Sequence, residues 1–388
     1  LPLLEFLPAG ELLALAEAVV RVFHRLGDRH NRHANRLKFL VRKMGFEAFQ
    51  GEVLAELGRV RAEGTPALPF DPERPKEEGP PAARRPPPPS PEEIAERVAA
   101  QRPRGPGIVK EVHPEPNPSA ALLASWARTN VRPQRQAGFV VASVTAQLGD
   151  LTSAQLAVLS SLSRAFADGT VRFTREQDVL LRWVPADEVP ALFRRLSAAG
   201  LWLDGAGTAA DVVSCPGAES CRLAVTAARG LGRELEAHLR ARPELLELLA
   251  GADLKVSGCP NGCSQHHLAA IGLQGSVRKV GEQAVPQYFV LLGGGVSAEG
   301  ARFGRLAAKI PARRVARALE RLAELYRAGR RPGEDARAFF QRLSPGEARQ
   351  ALGDLAQLGE EALRPEDRID LGEQAPYGLT TQEGECAA

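Results

Sequence analysis

The chain has 388 residues, of which 44% are hydrophobic and 25% charged, an ordinary composition for a globular protein. Its net charge of +3 is too small to indicate nucleic-acid binding. No run of apolar residues approaches the roughly 18 that a membrane-spanning helix needs, and the first residues lack the pattern of a secretory signal. We therefore expect a cytoplasmic protein of two or three domains, with neither nucleic acid nor membrane as a partner.

The first segment, residues 1–63, has a helical pattern. Its apolar residues recur at helical spacing, at Leu12, Leu15, Ala16, Val19 and Phe23. Residues 21–43 then carry eight Arg or Lys and one acid, Asp28. Such a run indicates either a solvated basic helix face or contact with an anionic partner. Residues 37–41 predict another buried segment.

The next segment, residues 64–118, is rich in proline. It contains 16 of the 30 prolines and loses the apolar periodicity of its neighbours. Proline favours an extended backbone and cannot continue a helix. We therefore interpret 64–118 as a linker between two bodies.

Residues 119–205 predict a compact unit in the order β-α-β-β-α. The strands are expected at 139–146, 171–173 and 179–184, and the second helix at 187–199. Thr152 and Gln155 have the spacing of a capping box, which predicts a helix from there to Phe166. The order is typical of a split βαβ, ferredoxin-like unit. Such a unit needs one more strand, which 211–214 could supply unless it opens the next domain.

The remaining chain predicts an α/β domain over 206–342 and a C-terminal helix and tail over 343–388. Helices are expected before Leu239 and over 244–250 and 312–328, and strands over 253–257, 268–273 and 287–292. Ser344, Pro345 and Glu347 predict the start of a further helix.

Four of the five cysteines form two close pairs, each in a loop that contains proline and glycine. The pairs are Cys215/Cys221 and Cys259/Cys263, and 37 residues separate them. Two pairs brought together could supply four thiolates, which suit an iron–sulfur cluster or zinc. A redox dithiol pair and inert buried thiols are the other interpretations. The spacings of five and three residues within the pairs are unusual for zinc and favour a cluster.

In these segments the sequence resembles the siroheme-containing nitrite and sulfite reductases. Residues 213–228 (VSCPGAESCRLAVTAA) and 256–263 (VSGCPNGC) resemble the two cluster loops of that family. Residues 171–184 resemble its strand pair, with Arg172, Thr174 and Gln177 in the family pattern. Residues 126–151 resemble the opening of the second half, and residues 11–49 the closing helices of the first half.

The resemblance implies an α+β fold: a ferredoxin-like split βαβ unit followed by an α/β cluster- and siroheme-binding domain, with a helical N-terminal remnant. It implies a [4Fe–4S] cluster ligated by Cys215, Cys221, Cys259 and Cys263. Cys263 would also bridge to the siroheme iron. By the same resemblance Asn261, Arg172, Arg175 and the basic run 21–43 are candidates for contact with siroheme or the cluster.

The resemblance further implies a multi-electron reduction of nitrite to ammonium or of sulfite to sulfide. Ferredoxin or a flavoprotein would donate the electrons. Because most of the family's first half has no counterpart here, we expect a fragment of a longer enzyme, with its substrate-binding cations upstream. The alternatives are a siroheme-family enzyme of corrinoid biosynthesis and a non-catalytic module stabilised by a cluster or zinc.

Several residues outside the two cysteine pairs are further candidates for a structural or functional role. His266 and His267 follow the second cysteine pair and are interpreted as structural histidines rather than ligands. Gly293–Gly295 indicate a strand end or a close approach to siroheme. Cys386, near the end of the sequence, is expected to be a tail thiol far from the other four. No Walker or Rossmann fingerprint is present, so nucleotide or flavin binding within this chain is not expected.

Overall fold

A computed structural model describes residues 2–31, 35–64, 68, 71–72, 74, 79–81, 86–101, 113–298, 300–359 and 361–378. These residues fall into two compact units, which are divided in the chain between Gly79 and Pro80. Within the described ranges no helix is both long and apolar enough to cross a membrane.

The first unit is helical. Its α-helices within the described ranges are α1 (Leu12–Leu26), α2 (Leu37–Met44) and α3 (Phe46–Glu63). Helix α1 packs along α3, and the shared core contains Ala14, Ala18, Val22, Leu40, Phe49, Val53, Leu57 and Val60. The small side chains of Ala14 and Ala18 allow a close approach of the two helices.

The apolar residues of α1 are buried to different extents. The apolar set Leu12, Leu15, Val19 and Phe23 is expected to need a partner surface outside this segment, and the side chain of Leu12 is 54% exposed. Leu15, Val19 and Phe23 are only partly buried against the core, whereas Ala14 and Ala18 are fully buried. Helical spacing alone does not fix which of two neighbouring apolar stripes faces the partner helix, and here the stripe that contains Ala14 and Ala18 packs on α3.

The second unit begins with a layer of helices on an antiparallel sheet. The elements in this part are α4 (Pro91–Ala100), α5 (Ala120–Asn130), β1 (Val131–Pro133), β2 (Phe139–Val144), α6 (Ser153–Phe166), β3 (Arg172–Phe173), β4 (Val179–Pro185) and α7 (Val189–Ala198). Across the described strands the sheet order is β1-β2-β4-β3, with every pairing antiparallel. The predicted capping box is confirmed, since Thr152 and Gln155 exchange both of its hydrogen bonds at the start of α6.

The additional strand comes from an unexpected place. Strand β1, which precedes the β-α-β-β-α unit, pairs with β2 and occupies the outer position of the sheet. Within 211–214 only Val213–Ser214 forms a strand, and it pairs in the following sheet. Of the two roles considered for this segment, it therefore takes the second and opens the next domain.

Part of the predicted linker is a packed helix. Helix α4 starts with a capping box between Ser90 and Glu93 and has Pro91 at its first position, where proline is favourable. Its Ile94 and Val98 are buried in the same core as Trp126. The linker interpretation of 64–118 is therefore wrong for 90–100, although the boundary between the two units does fall inside the segment.

The last part of the second unit is an α/β domain. Its elements are β5 (Val213–Ser214), α8 (Ala228–Arg240), α9 (Pro243–Leu248), β6 (Leu254–Ser257), β7 (Ile271–Val280), β8 (Gln283–Leu292), β9 (Gly295–Ser297), β10 (Gly300–Arg302), β11 (Arg305–Pro311), α10 (Val315–Gly329), α11 (Ala336–Arg342) and α12 (Pro345–Ala351). Among the described strands the main sheet has the order β11-β8-β7-β6-β5. Strands β5, β6 and β7 are parallel, whereas β7, β8 and β11 pair antiparallel.

Helix α8 connects the parallel strands β5 and β6. Its Leu231, Leu235 and Leu239 share a core with Leu254 and Val256 of β6. The segment from residue 343, predicted as a separate helix and tail, contributes to the same core, with Ala348, Leu352, Leu355 and Leu371. The capping box of Ser344 and Glu347 at the start of α12 is confirmed.

Candidate functional site

The two cysteine pairs lie in loops at one edge of the α/β sheet. Cys215 directly follows β5, and Cys259 follows β6 after one residue, Gly258. The two strands are parallel, with Val213 opposite Lys255 and Ser214 opposite Val256. Because neighbouring parallel strands end at the same edge, both loops leave the sheet side by side.

Gly258 joins the two loops through its backbone. Its carbonyl accepts hydrogen bonds from the N–H groups of Val225 (2.8 Å) and Thr226 (3.1 Å) in the first loop. Its own N–H donates to the Sγ atom of Cys215 at 3.1 Å. One residue thus ties the second loop to the first and directs an amide at a cysteine sulfur, a contact that stabilises negative charge on sulfur.

The packing of the two loops leaves no space for side chains at two glycines. A Cβ at Gly258 would lie 2.6 Å from the Thr226 carbonyl oxygen and 3.1 Å from the Cα of Gly217. At Gly217 a Cβ would lie 2.3 Å from the Ala228 nitrogen, and the positive φ of 60° also favours glycine. The glycines beside the cysteines are therefore required by close backbone contact between the loops.

A buried polar network closes the second loop. The Oγ atoms of Ser257 and Ser264 are 2.6 Å apart, and the Nδ1 of His266 lies 2.8 Å from the Oγ of Ser257. The Nε2 of His266 lies 3.2 Å from the Oε1 of Gln274 on β7. Burial lowers the pKa of His266 to about 4, so the ring is neutral near pH 7. The interpretation of His266 as a structural histidine is supported by these contacts.

The predicted site residues differ in exposure. Cys215 and Cys259 are buried, Cys221 is half-buried, and Cys263 and Asn261 are exposed. Burial raises the pKa of Cys215, and the amides of Gly258 and Gly217 oppose this rise. Within the described residues no three His, Cys, Asp or Glu side chains are grouped so as to hold a single metal ion. Four thiols on adjoining loops with amides directed at sulfur fit a larger cluster, in which each thiolate binds a different iron atom.

The predicted cationic residues are engaged in ion pairs. Arg172 forms two hydrogen bonds with Asp168, at 2.8 and 3.1 Å, and Arg175 pairs with Glu176 at 2.5 Å. In the basic run 21–43, Arg21 pairs with Glu17 and Glu63, and Arg25 with Glu52. Contact of these cations with siroheme stays a prediction.

Two further expectations concern glycines and the last cysteine. A Cβ at Gly293 would lie 2.5 Å from the Phe340 carbonyl oxygen, and one at Gly294 would lie 2.6 Å from the Ala269 carbonyl oxygen. The glycine run is therefore a strand end packed closely against other backbone. Cys386 lies outside the described residues, and its distance from the other cysteines stays a prediction.

Gln177 belongs to the family pattern of residues 171–184, but the sequence predicts no role for its side chain. Its side-chain amide hydrogen-bonds both backbone groups of Ser214, the residue before Cys215. The left-handed backbone of Gln177, with a φ of 70°, is unusual for a residue other than glycine. Gln177 thus connects the ferredoxin-like layer to the first cysteine loop.

A buried carboxyl pair, Asp178 and Asp211, was also missed. Asp178 accepts a hydrogen bond from the N–H of Ala146, and Asp211 accepts one from the N–H of Gly207. Burial, together with the neighbouring carboxyl of Asp211, raises the pKa of Asp178 to about 9. No local sequence signal reveals this pair, because 33 positions of chain separate its members and only the tertiary fold brings them together.

The models of two protein families match the chain. "Nitrite and sulphite reductase 4Fe-4S domain" matches residues 1–60 and 206–357, more than half of the chain. "Nitrite/Sulfite reductase ferredoxin-like half domain" matches residues 132–199. The matched ranges include both cysteine pairs and most of the antiparallel sheet.

Individual relatives agree with these matches. The chain is 27% identical over 301 residues to the ferredoxin–nitrite reductase of Synechococcus elongatus, covering 76% of this chain and 47% of that protein. It is 25% identical over 304 residues to sulfite reductase [ferredoxin] 2 of Mycolicibacterium paratuberculosis, covering 77% and 45%. The chain thus spans about half the length of these relatives.

A solved structure shares the fold. The NirA protein of Mycobacterium tuberculosis superimposes with a TM-score of 0.60 at 22% identity, covering 88% of this chain and 54% of that one. The α+β architecture expected from the sequence is confirmed by this likeness and by the ferredoxin-like family match. The chain belongs to the nitrite and sulphite reductase 4Fe–4S domain family, and this membership implies a [4Fe–4S] cluster and a siroheme as its cofactors.

Proposed function

We propose that this chain is the cluster-binding part of a siroheme-dependent reductase that converts nitrite to ammonium or sulfite to sulfide. One observation carries the proposal: both cysteine pairs lie in loops at the ends of adjacent parallel strands, joined by the backbone of Gly258. The relatives named as ferredoxin–nitrite reductase and as sulfite reductase [ferredoxin] support this reaction class and ferredoxin as the electron donor.

The four paired cysteines, Cys215, Cys221, Cys259 and Cys263, are the proposed cluster ligands. When bound, the cluster and siroheme supply the electrons and the iron centre for the multi-electron reduction. The protein holds the sulfur of Cys215 with the amide of Gly258 and excludes water from it by burial. These contacts hold the first loop against the second.

Cys263 is the proposed bridge to siroheme. Its exposure supports this role, because a sulfur shared with a second cofactor has to be accessible beyond its own loop. Asn261, exposed in the same loop, is a proposed contact of siroheme. Arg172 and Arg175 are proposed contacts of siroheme carboxylates, for which Arg is well suited. Substrate-binding cations are not assigned within this chain.

Absorption spectroscopy and metal analysis of the complete protein test the proposal. We expect about five iron atoms for every four acid-labile sulfides, four irons in the cluster and one in siroheme, together with siroheme bands in the red and near-ultraviolet. Turnover with reduced ferredoxin is then compared for nitrite and sulfite, which identifies the substrate. Zinc without iron, or a siroheme protein that reduces neither anion, would contradict the proposal.

A further inference from the structure

The N-terminus of α8 is capped by a residue from far along the chain. The helix follows the first cysteine loop, and its N-cap residue is Ala227, whose methyl group cannot accept a hydrogen bond. The N–H of Ala227 instead donates to the Oδ2 of Asp370 at 2.8 Å, across a sequence separation of 143 residues. Asp370 is only 2% exposed, and its Oδ1 accepts from the N–H of Leu371.

The same distant segment makes two further contacts with this part of the chain. The hydroxyl of Tyr377 donates to the carbonyl of Val225, two residues before the N-cap. A Cβ at Gly230, in the first turn of α8, would lie 2.1 Å from the carbonyl oxygen of Leu371. The segment therefore lies directly against the junction between the first cysteine loop and its helix.

The segment is fixed at its other end to the start of α10. Arg314 forms an ion pair with Asp367, whose side chain is fully buried, whereas that of Arg314 is partly buried. Arg313 donates to the carbonyl oxygens of Ile369 and Asp370, each at 3.1 Å. Of the two cations that precede α10, Arg313 therefore holds the backbone at Ile369 and Asp370, and Arg314 holds the side chain of Asp367.

We propose that residues 367–377 form a clasp that positions the first cysteine loop, with Asp370 as its principal positioning residue. The clasp lies beyond residue 357, where the family match ends. The inference rests on the proposed function, because it assigns the clasp to the loop that carries Cys215 and Cys221. By restraining Val225 and Ala227, the clasp limits the motion of that loop and so slows the loss of a cluster bound there.

Hydrogen exchange of the complete protein with its cofactors tests the clasp directly. In Asp370→Ala the amides of 217–228 are expected to exchange about five- to tenfold faster, since a helix cap contributes about 1 kcal/mol. Tyr377→Phe is expected to give a smaller increase in the same amides. Asp370→Asn, which retains one of the two acceptor oxygens, is expected to exchange at a rate between that of the natural protein and that of Asp370→Ala. The matched control is Asp354→Ala, an exposed carboxylate in the same C-terminal region.

Cluster loss into an iron chelator, followed by absorbance, provides the second measurement. We expect the cluster absorbance to disappear faster in Asp370→Ala than in the protein without substitutions or in Asp354→Ala. Unchanged exchange of 217–228 in both Asp370→Ala and Tyr377→Phe would overturn the clasp. If the protein without substitutions binds no cluster, the proposed function is refuted instead. The hydrogen-exchange measurement would still decide whether the clasp exists.

Discussion

The side-chain amide of Gln177 pairs with the backbone of Ser214 on the side of the strand where no neighbouring strand is described. Its Nε2 donates to the Ser214 carbonyl at 2.8 Å, and its Oε1 accepts from the Ser214 N–H at 3.0 Å. Strand β5, which contains Ser214, is the outermost strand of its sheet in the described chain. The side-chain amide thus satisfies both backbone groups of the residue that directly precedes Cys215.

Replacing Gln177 by alanine is expected to leave these two backbone groups unpaired. We expect a loss of about 1–3 kcal/mol in the free energy of unfolding, measured by chemical denaturation, and faster loss of iron from the first cysteine loop. Gln350→Ala, at an exposed position of α12, is the matched control and is expected to change neither quantity. Equal stability of the two variants would show that water replaces the amide of Gln177.

Local sequence signals predicted local structure well. The capping boxes at Thr152 and Ser344 identified the starts of α6 and α12, because the interacting residues lie three positions apart. The cysteine loops were recognisable because the two cysteines of each pair also lie close together in the sequence. The signal at Ser90, Pro91 and Glu93 was present but was outweighed by the surrounding prolines, so α4 was missed.

Long-range pairing could not be predicted in this way. Strand β1 is short, and its position beside β2 depends on the fold of the whole sheet. The hydrogen bonds of Gln177 with Ser214 and of Asp370 with Ala227 join residues that no periodic pattern relates. These contacts complete the candidate site, and they depend on tertiary structure rather than on local spacing.

The carboxyl pair of Asp178 and Asp211 predicts that stability falls as pH rises from about 4 to about 9. An unfolded Asp ionises near pH 4, whereas the folded pKa of Asp178 is raised to about 9. Between these values the folded state retains a proton that the unfolded state has released. The contribution to stability is therefore full below about pH 4 and falls as pH rises toward 9, by up to about 1.4 kcal/mol per pH unit.

Asp178→Asn is expected to flatten this pH dependence, because the amide needs no proton to remain neutral. The charged groups that act electrostatically on the pair include Glu176, Glu236 and Arg240, and these are unchanged in the variant. Thermal unfolding between about pH 5 and pH 9 measures the effect, with the exposed Asp354→Asn as the control. A variant that loses stability with pH as steeply as the unchanged protein would assign the dependence to other groups.

Gly258→Ala is expected to separate the two cysteine loops. Its Cβ would meet the Thr226 carbonyl at 2.6 Å, and the contact involves backbone on both sides. We expect a loss of about 1–3 kcal/mol in unfolding free energy and a clear drop in bound iron per chain. Gly346→Ala, on α12, where a Cβ would meet only the Oγ of Ser344 at 3.9 Å, is the control and is expected to be neutral or stabilising.

Cys263→Ser and Cys215→Ser are expected to differ in which cofactor they affect. Removing a group that merely supports a metal ligand costs about 10–100-fold in affinity or activity, and removing the ligand itself is expected to cost more. If Cys263 is the bridging sulfur, its loss disturbs both the cluster and siroheme, whereas Cys215→Ser spares siroheme binding. Electron paramagnetic resonance and absorption spectra distinguish the two outcomes.

The bridging assignment has a specific alternative. Cys259 lies in the same loop but is buried. A cluster and a siroheme that share a sulfur give a coupled electron paramagnetic resonance signal. If Cys259→Ser loses this signal and Cys263→Ser keeps it, Cys259 is the bridging residue.

The hydrogen bond between Asp370 and Ala227 also has a consequence for biosynthesis. Asp370 follows Ala227 by 143 positions, which take roughly 7–30 seconds to translate at the usual rate. During this interval the nascent chain carries the first cysteine loop without its cap. Cluster delivery during translation would therefore meet a loop that is still loose, and stable metal incorporation is expected only after the segment around Asp370 has left the ribosome.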